Sequence, residues 1–211
     1  MTTVSKLDLY LLRVVVGGAI LFALLTIVGL ALSTISLAVD DELRITGMPY
    51  TGEAEVRDAP PALVQADVSS ADATVVGLDG GARGLLIAER LAEGLPALGI
   101  CAAVALVGLR VLDGRPFVRS ATWAVGLAGV FLMVGGLLQP AFAAYARAAV
   151  VDFLGPQAVT AGGDQSGSYP GFTRFVMLTD LSPIGWGLAL AVVATAFELG
   201  RRMQRETDTL V

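Results

Sequence analysis

The sequence contains no histidine, a single cysteine and few charged residues. Only 16% of its 211 residues are charged. The absence of histidine excludes zinc sites built on imidazole, Ser-His-Asp triads and histidine proton shuttles. The single cysteine, Cys101, excludes a disulfide within the chain, and its apolar neighbours predict a packing role. Fourteen basic residues against nineteen acidic ones leave no overall basic surface, so we expect no direct nucleic-acid binding.

Apolar residues are abundant instead, at 55% of the chain. The mean hydropathy is +0.74. Four apolar runs have the length of about 20 residues that a membrane span requires. The first run is much longer than the core of a signal peptide, which favours an uncleaved anchor. The sequence therefore predicts a mainly α membrane protein, a four-transmembrane-helix bundle, with spans at residues 11–39, 95–112, 121–144 and 183–199.

Lysine and arginine near the ends of these spans predict the orientation. The segments 1–10, 113–120 and 200–211, with the helix ends beside them, carry eight basic and five acidic residues. The two longer segments, 40–94 and 145–182, carry six basic and fourteen acidic residues. Basic residues close to the membrane remain on the cytoplasmic side. We therefore expect both termini in the cytoplasm and the two acidic segments outside it.

The first external segment, residues 40–94, has patterns of both strands and a helix. Apolar and polar residues partly alternate in three stretches, which predicts a small β-containing segment with strands near Leu43–Thr46, Ala62–Val68 and Ala73–Leu78. Pro49 and Gly52 predict turns between the strands. The spacing of apolar residues after Gly81 predicts an amphipathic helix that leads into the second span.

Neither external segment contains a recognisable cofactor or metal motif. The glycines of residues 161–171 fit neither a P-loop nor a dinucleotide-binding fingerprint, so a flexible polar loop is expected there. Eleven acidic residues lie between Asp40 and Glu93, but they lack the spacing of an EF-hand. We therefore predict a solvated acidic face and no cofactor.

The predicted spans have no ionisable residue near their centres. Transporters and pumps usually have such residues at mid-membrane, so their absence here argues against a proton-coupled carrier. Small residues recur four positions apart in every span, which favours close packing in one bundle over a dimer face. These residues are Ala19 and Ala23; Gly99 and Ala103; Ser120, Ala124 and Ala128; and Gly185 and Ala189.

Two predicted cytoplasmic stretches have a more distinctive composition. In the loop 113–120, Asp-Gly predicts a tight turn, and Pro116 fixes φ before the next helix. In the tail 200–211, three arginines are placed to meet an anionic membrane surface. The candidate partner-contact residues are Gly114, Pro116, Phe117, Arg201, Arg202 and Arg205.

The loop and the tail together resemble a bacterial membrane family, domain of unknown function 2975. Gly114, Pro116 and Phe117 match its Gly-x-Pro-Phe loop after the second span. Gly200, Glu206, Leu210 and Val211 match its C-terminal pattern, with Met203 in place of the usual leucine. The resemblance implies a bacterial cytoplasmic membrane and a partner such as a small helix-turn-helix regulator.

These features predict a non-enzymatic integral membrane protein that regulates or scaffolds another protein in contact with membrane lipids. One alternative is an accessory subunit of a larger membrane complex, and another is a small transporter or channel subunit. A membrane enzyme is disfavoured, because without histidine it would depend on carboxylates such as Asp180 and Glu198.

Overall fold

The structure is a computed structural model that describes residues 6–53, 67–113, 119–155, 158, 171–177 and 180–208. Within these ranges the chain forms four α-helices and three β-strands. The helices are α1 (Lys6–Val39), α2 (Gly80–Leu112), α3 (Arg119–Leu154) and α4 (Ser182–Asp208). The strands are β1 (Glu42–Glu53) and β2 (Asp67–Val76), between α1 and α2, and β3 (Gly171–Phe172), between α3 and α4.

All four helices are long and apolar enough to cross a membrane. The shortest, α4, has 27 residues. At 1.5 Å per residue it measures about 40 Å, more than the roughly 30 Å of a hydrocarbon core. Apolar side chains cover the outside of these helices, and Leu21, Phe22 and Leu25 of α1 are each more than half exposed. A mainly helical fold, with four helices that are long and apolar enough to span a membrane and a small three-stranded sheet, is therefore confirmed.

Helices α2 and α3 are longer than the spans predicted at residues 95–112 and 121–144. Helix α2 begins at Gly80, so the predicted amphipathic helix and the second span are one continuous helix. Helix α3 continues to Leu154. Each contains an internal proline, Pro96 in α2 and Pro140 in α3. Proline is tolerated in membrane helices because neighbouring groups satisfy the hydrogen bond that it removes.

The described residues form two compact units. The helical unit comprises residues 6–33, 90–113, 119–139 and 180–208. The sheet unit comprises residues 34–53, 67–89, 140–155, 158 and 171–177, including the remaining parts of α1, α2 and α3.

Glycines bring neighbouring helices of the helical unit into close contact. A Cβ built on Gly108 of α2 would lie 2.2 Å from Cγ2 of Val16 in α1. One built on Gly99 of α2 would lie 2.9 Å from Cβ of Phe131 in α3. Helix α1 therefore packs on α2, and α2 packs on α3. Only a residue without a side chain allows such approaches.

Helices α3 and α4 run antiparallel, and two glycines face each other across their contact. A Cβ on either Gly129 or Gly187 would lie 2.9 Å from the carbonyl oxygen of the other. Gly126 faces Ala194, whereas Gly136, further along α3, faces Pro183 near the start of α4. Rising residue numbers in α3 therefore correspond to falling numbers in α4.

Alanines fill part of the space between α2, α3 and α4. Ala103, Ala124 and Ala128, three of the residues in the predicted small-residue rows, form one buried cluster against which Leu190 packs. Gly185 behaves differently, since nothing lies within 4 Å of a Cβ placed on it. The alanine rows of α2 and α3 therefore contribute to packing, whereas Gly185 marks no close approach.

The sheet unit contains a three-stranded antiparallel sheet in the order β2-β1-β3. Leu43, Ile45 and Val75 face a buried apolar cluster. Residues of α2 and α3 complete that cluster, among them Ala82, Leu86, Ala146, Val150 and Val151. Met48 belongs to the same cluster and has no exposed surface. One face of the sheet is thus covered by helix residues, as the alternating strand pattern requires.

The turns predicted at Pro49 and Gly52 are wrong, because both residues belong to β1. Both flank one register irregularity, between Pro49 and Gly52, and an earlier irregularity lies between Ile45 and Met48. A residue at such an irregularity need not donate to the hydrogen-bond ladder between the strands. A strand therefore tolerates proline there. The Pro49 carbonyl also accepts a hydrogen bond from the Thr173 amide at 2.9 Å. The strand predicted at Ala62–Val68 lies mostly outside the described residues.

An exposed ionic contact fixes the first of these irregularities. Arg44 Nη2 donates a hydrogen bond to Asp72 Oδ2 at 2.9 Å, and the Gly47 amide donates to Oδ1 at 3.1 Å. The hydrogen bond from Arg44 and that from Gly47 hold the pKa of Asp72 below its usual range. Gly47 has a φ of +66°, a conformation that glycine adopts without strain.

Candidate functional site

The predicted partner-contact residues are only partly described. Gly114, Pro116 and Phe117 lie outside the described residues. Arg205 is within α4, but the structure describes only its backbone. The structure therefore places the side chains of two predicted contact residues, Arg201 and Arg202.

Arg201 and Arg202 share a single acidic partner, Glu198, one turn earlier in α4. Arg201 binds both carboxylate oxygens, with Nε donating to Oε2 at 2.9 Å and Nη2 donating to Oε1. Arg202 Nε lies 3.5 Å from Oε1, and 70% of the Arg202 side chain is exposed. The bidentate pair with Arg201 is the stronger interaction. The charge of Arg201 is thus largely neutralised, whereas the side chain of Arg202 faces outward.

Two arginines from other helices lie at the same end of the helical unit. The exposed Arg13 lies about two turns after the start of α1, and the exposed Arg110 lies in the last turn of α2. The antiparallel arrangement of α3 and α4 places the end of α4 here as well. We call Arg13, Arg110, Arg201 and Arg202 the basic end. Asp113, also exposed, follows α2 at this end.

An open cavity of about 750 Å³ is lined by all four helices of the helical unit, and lining residues such as Val15 and Trp186 are more than half exposed. Its lining includes Leu12 of α1, Val111 of α2, Ala128 of α3 and Ala189 of α4. Along α2 it extends from Ile100 to Val111, a distance of about 16 Å at 1.5 Å per residue. Leu12 and Val111 are sequence neighbours of Arg13 and Arg110, so the cavity reaches the basic end.

The chemistry of the cavity is almost purely hydrocarbon. Its lining consists of Ala, Val, Leu, Ile and Gly residues together with Trp186. It has no carboxylate, amine or hydroxyl that could bind an ion or a polar solute. Water needs two to four polar partners to occupy a cavity stably, and this lining does not offer them. An apolar occupant therefore suits the cavity best.

Asp180, which a membrane enzyme would have needed as a catalytic carboxylate, caps α4 instead. Its Oδ1 accepts hydrogen bonds from the Ser182 hydroxyl at 2.6 Å and the Ser182 amide at 2.8 Å. The hydroxyl, followed by the amide, lowers the pKa of Asp180. An acid that remains ionised suits a helix cap better than proton donation.

A second ionic contact lies inside the sheet unit. Arg147 Nη2 of α3 lies 3.5 Å from Glu89 Oε1 of α2, and only 26% and 13% of these side chains are exposed. The Nε of Arg147 is buried without a hydrogen-bond partner among the described residues. Removing charged groups from water is costly, and the ion pair offsets part of that cost. No group of three or more potential metal ligands occurs in the described part of the chain.

No protein-family model, curated protein or solved structure matches this chain. The resemblance to domain of unknown function 2975 therefore remains a prediction that rests on the loop and tail residues.

Proposed function

We propose that this chain is a non-enzymatic integral membrane protein that acts as a regulatory or scaffolding partner of another protein. The observation that carries this proposal is the division of charge in α4. Glu198 is bound on both oxygens by Arg201, which leaves Arg202 70% exposed beside the tail. A small helix-turn-helix regulator is the partner class that the family resemblance implies. An accessory role in a larger membrane complex is the alternative.

The cavity supports this choice over a transporter or channel subunit. A path for ions or polar solutes needs polar groups or water along it. The only polar group that the side chains of this lining offer is the indole N–H of Trp186, which is too little to hold water along a path. Catalysis is also disfavoured in the described residues, because Asp180 caps a helix and Glu198 is held by arginine.

The proposed partner can be tested by removing two charges from the tail. We expect Arg202→Ala with Arg205→Ala to reduce recovery of a crosslinked partner from native membranes roughly five- to thirtyfold. Exposed charge contacts contribute about 0.5–1 kcal/mol each, which corresponds to that range for two. Quantitative mass spectrometry of the affinity-purified protein measures the recovery.

The matched control is Arg44→Ala with Arg174→Ala. It also removes two exposed charges, from residues that we place on the other side of the membrane. Equal recovery in both double variants would contradict the proposal. So would the absence of any protein enriched over a control membrane protein of similar abundance.

We further propose that both termini lie in the cytoplasm of a bacterial cell, with the sheet residues outside the cytoplasmic membrane. Cys101 is the only cysteine, so Cys101→Ala provides a cysteine-free background. In that background, a membrane-impermeant maleimide added to spheroplasts should label Thr74→Cys in β2. Arg202→Cys should react only after the membrane is permeabilised. Labelling of Arg202→Cys in sealed spheroplasts would reverse the orientation.

A further inference from the structure

We infer that the cavity of the helical unit binds one acyl chain of an anionic phospholipid, whose phosphate lies between Arg13 and Arg110. This inference is independent of the protein partner proposed above, since it uses different arginines and the open apolar cavity of the helical unit.

The depth of the cavity fits one leaflet of a bilayer. The stretch of α2 that lines it, from Ile100 to Val111, measures about 16 Å. Half of a hydrocarbon core of roughly 30 Å is about 15 Å. The cavity also begins at the basic end, where a lipid headgroup would lie when Arg13 and Arg110 are at the membrane surface. An acyl chain that entered there would extend as deep as its neighbours in the bilayer.

The volume and lining fit a hydrocarbon chain. About 750 Å³ lies within the range of roughly 300–1,000 Å³ typical of small-molecule sites. The small side chains of Ala103, Ala128 and Ala189 leave the space open, while Trp186 provides a large apolar wall. The membrane supplies acyl chains to such a cavity at high concentration.

The charges at the mouth of the cavity select the headgroup. Arg13 follows Leu12, and Arg110 precedes Val111, so each arginine is adjacent in sequence to a lining residue. Both arginines are exposed, and neither forms an ion pair with another described side chain. The exposed Asp113, one residue after the end of α2, is the described acid nearest to them in sequence. Two guanidinium groups against one carboxylate favour an anionic phosphate over a zwitterionic headgroup.

Native mass spectrometry in a mild detergent tests the inference. The protein is incubated with equal amounts of phosphatidylglycerol and phosphatidylcholine that carry the same acyl chains. We expect one retained lipid per protein, with phosphatidylglycerol favoured. Arg13→Gln and Arg110→Gln should each reduce that preference about fivefold. No retained lipid, equal retention of both lipids, or a preference unchanged in both variants would overturn the inference. So would a dimer without lipid, because a second copy would then occupy the cavity.

Filling the cavity provides the matched comparison. Ala189→Phe places a ring in the cavity, whereas Ala191→Phe makes the same change on α4 at an exposed residue outside the lining. We expect lipid retention to fall about tenfold in the first variant and to remain near the unmodified level in the second. Equal retention in the two variants would overturn the inference.

A second measurement does not depend on how Ala189→Phe folds. The chain has two tryptophans, so Trp123→Phe leaves Trp186 as the single emitter. In detergent, phosphatidylglycerol with brominated acyl chains should quench Trp186 emission and saturate near one equivalent. Quenching that rises without saturation, or equally with brominated phosphatidylcholine, would contradict a specific chain in the cavity.

Discussion

Replacing Gly129 by alanine is expected to lower the free energy of unfolding of the helical unit by about 1–3 kcal/mol, the usual cost of overpacking. The new Cβ would lie 2.9 Å from the carbonyl oxygen of Gly187 and 3.2 Å from Cβ of Leu190. A backbone oxygen cannot rotate away as a flexible side chain can. Helices α3 and α4 must therefore separate locally, with loss of packing along their contact.

Gly126→Ala is the matched control for this substitution. It lies one turn earlier on α3, and its new Cβ would meet only Cβ of Ala194 at 3.9 Å, an ordinary van der Waals contact. We expect this variant to be unchanged or stabilised by up to about 1 kcal/mol, because alanine favours helix over glycine. Unfolding by a denaturing detergent measures both variants. Similar loss of stability in the two would show that the close approach of Gly129 and Gly187 is unimportant.

The pair of Arg147 and Glu89 is expected to show the second large effect. Arg147→Met alone, or Glu89→Met alone, should destabilise the sheet unit by about 3 kcal/mol, because each removes one half of a mostly buried ion pair. The double variant should recover most of that loss, since two methionines fill similar space without a charge. Thermal unfolding in mild detergent, read by circular dichroism, measures the effect.

The control is the exposed pair of Arg90 and Glu93 on α2, whose side chains are 48% and 56% exposed. The corresponding methionine variants should change stability by no more than about 1 kcal/mol. If the double variant of Arg147 and Glu89 is as unstable as the worse single variant, the lost charge partner does not explain the destabilisation.

The helices could be predicted from the sequence because lipid imposes a strong pattern on it. A span must hide its backbone in a helix with about 20 apolar residues, and four such runs stand out. The strands around Leu43 and Val75 were also predictable, since one face of each is buried and the other is not. Strand β3 has two residues, too few for any alternation to be visible.

The contacts inside the helical unit could not be predicted in the same way. In a soluble protein, apolar residues mark the side of a helix that faces the core. In α1 they cover the exposed side as well, so Leu12 at the cavity and the exposed Leu21 look alike in sequence. Spacing of small residues identified Ala124 and Ala128 but not Gly129, because its partner, Gly187, is on another helix.

The candidate site, too, could be predicted from the sequence only in part. Arg201 and Arg202 could be identified from the sequence because charge beside an apolar run is conspicuous. Their unequal roles depend on the side-chain geometry of Glu198, which binds one of them with both oxygens. The cavity had no sequence signal, since it arises from the way four apolar surfaces meet.

The pairing of β3 with β1 has a consequence for biosynthesis. Tyr50 pairs with Phe172, and Thr51 and Thr173 lie 122 positions apart in the chain. Strands β1 and β2 can pair soon after they leave the ribosome, whereas β3 does not yet exist. At about 5–20 residues per second, synthesis of the intervening chain takes roughly 6–24 s. During that interval α2 and α3 are synthesised while this edge of β1 has no partner strand.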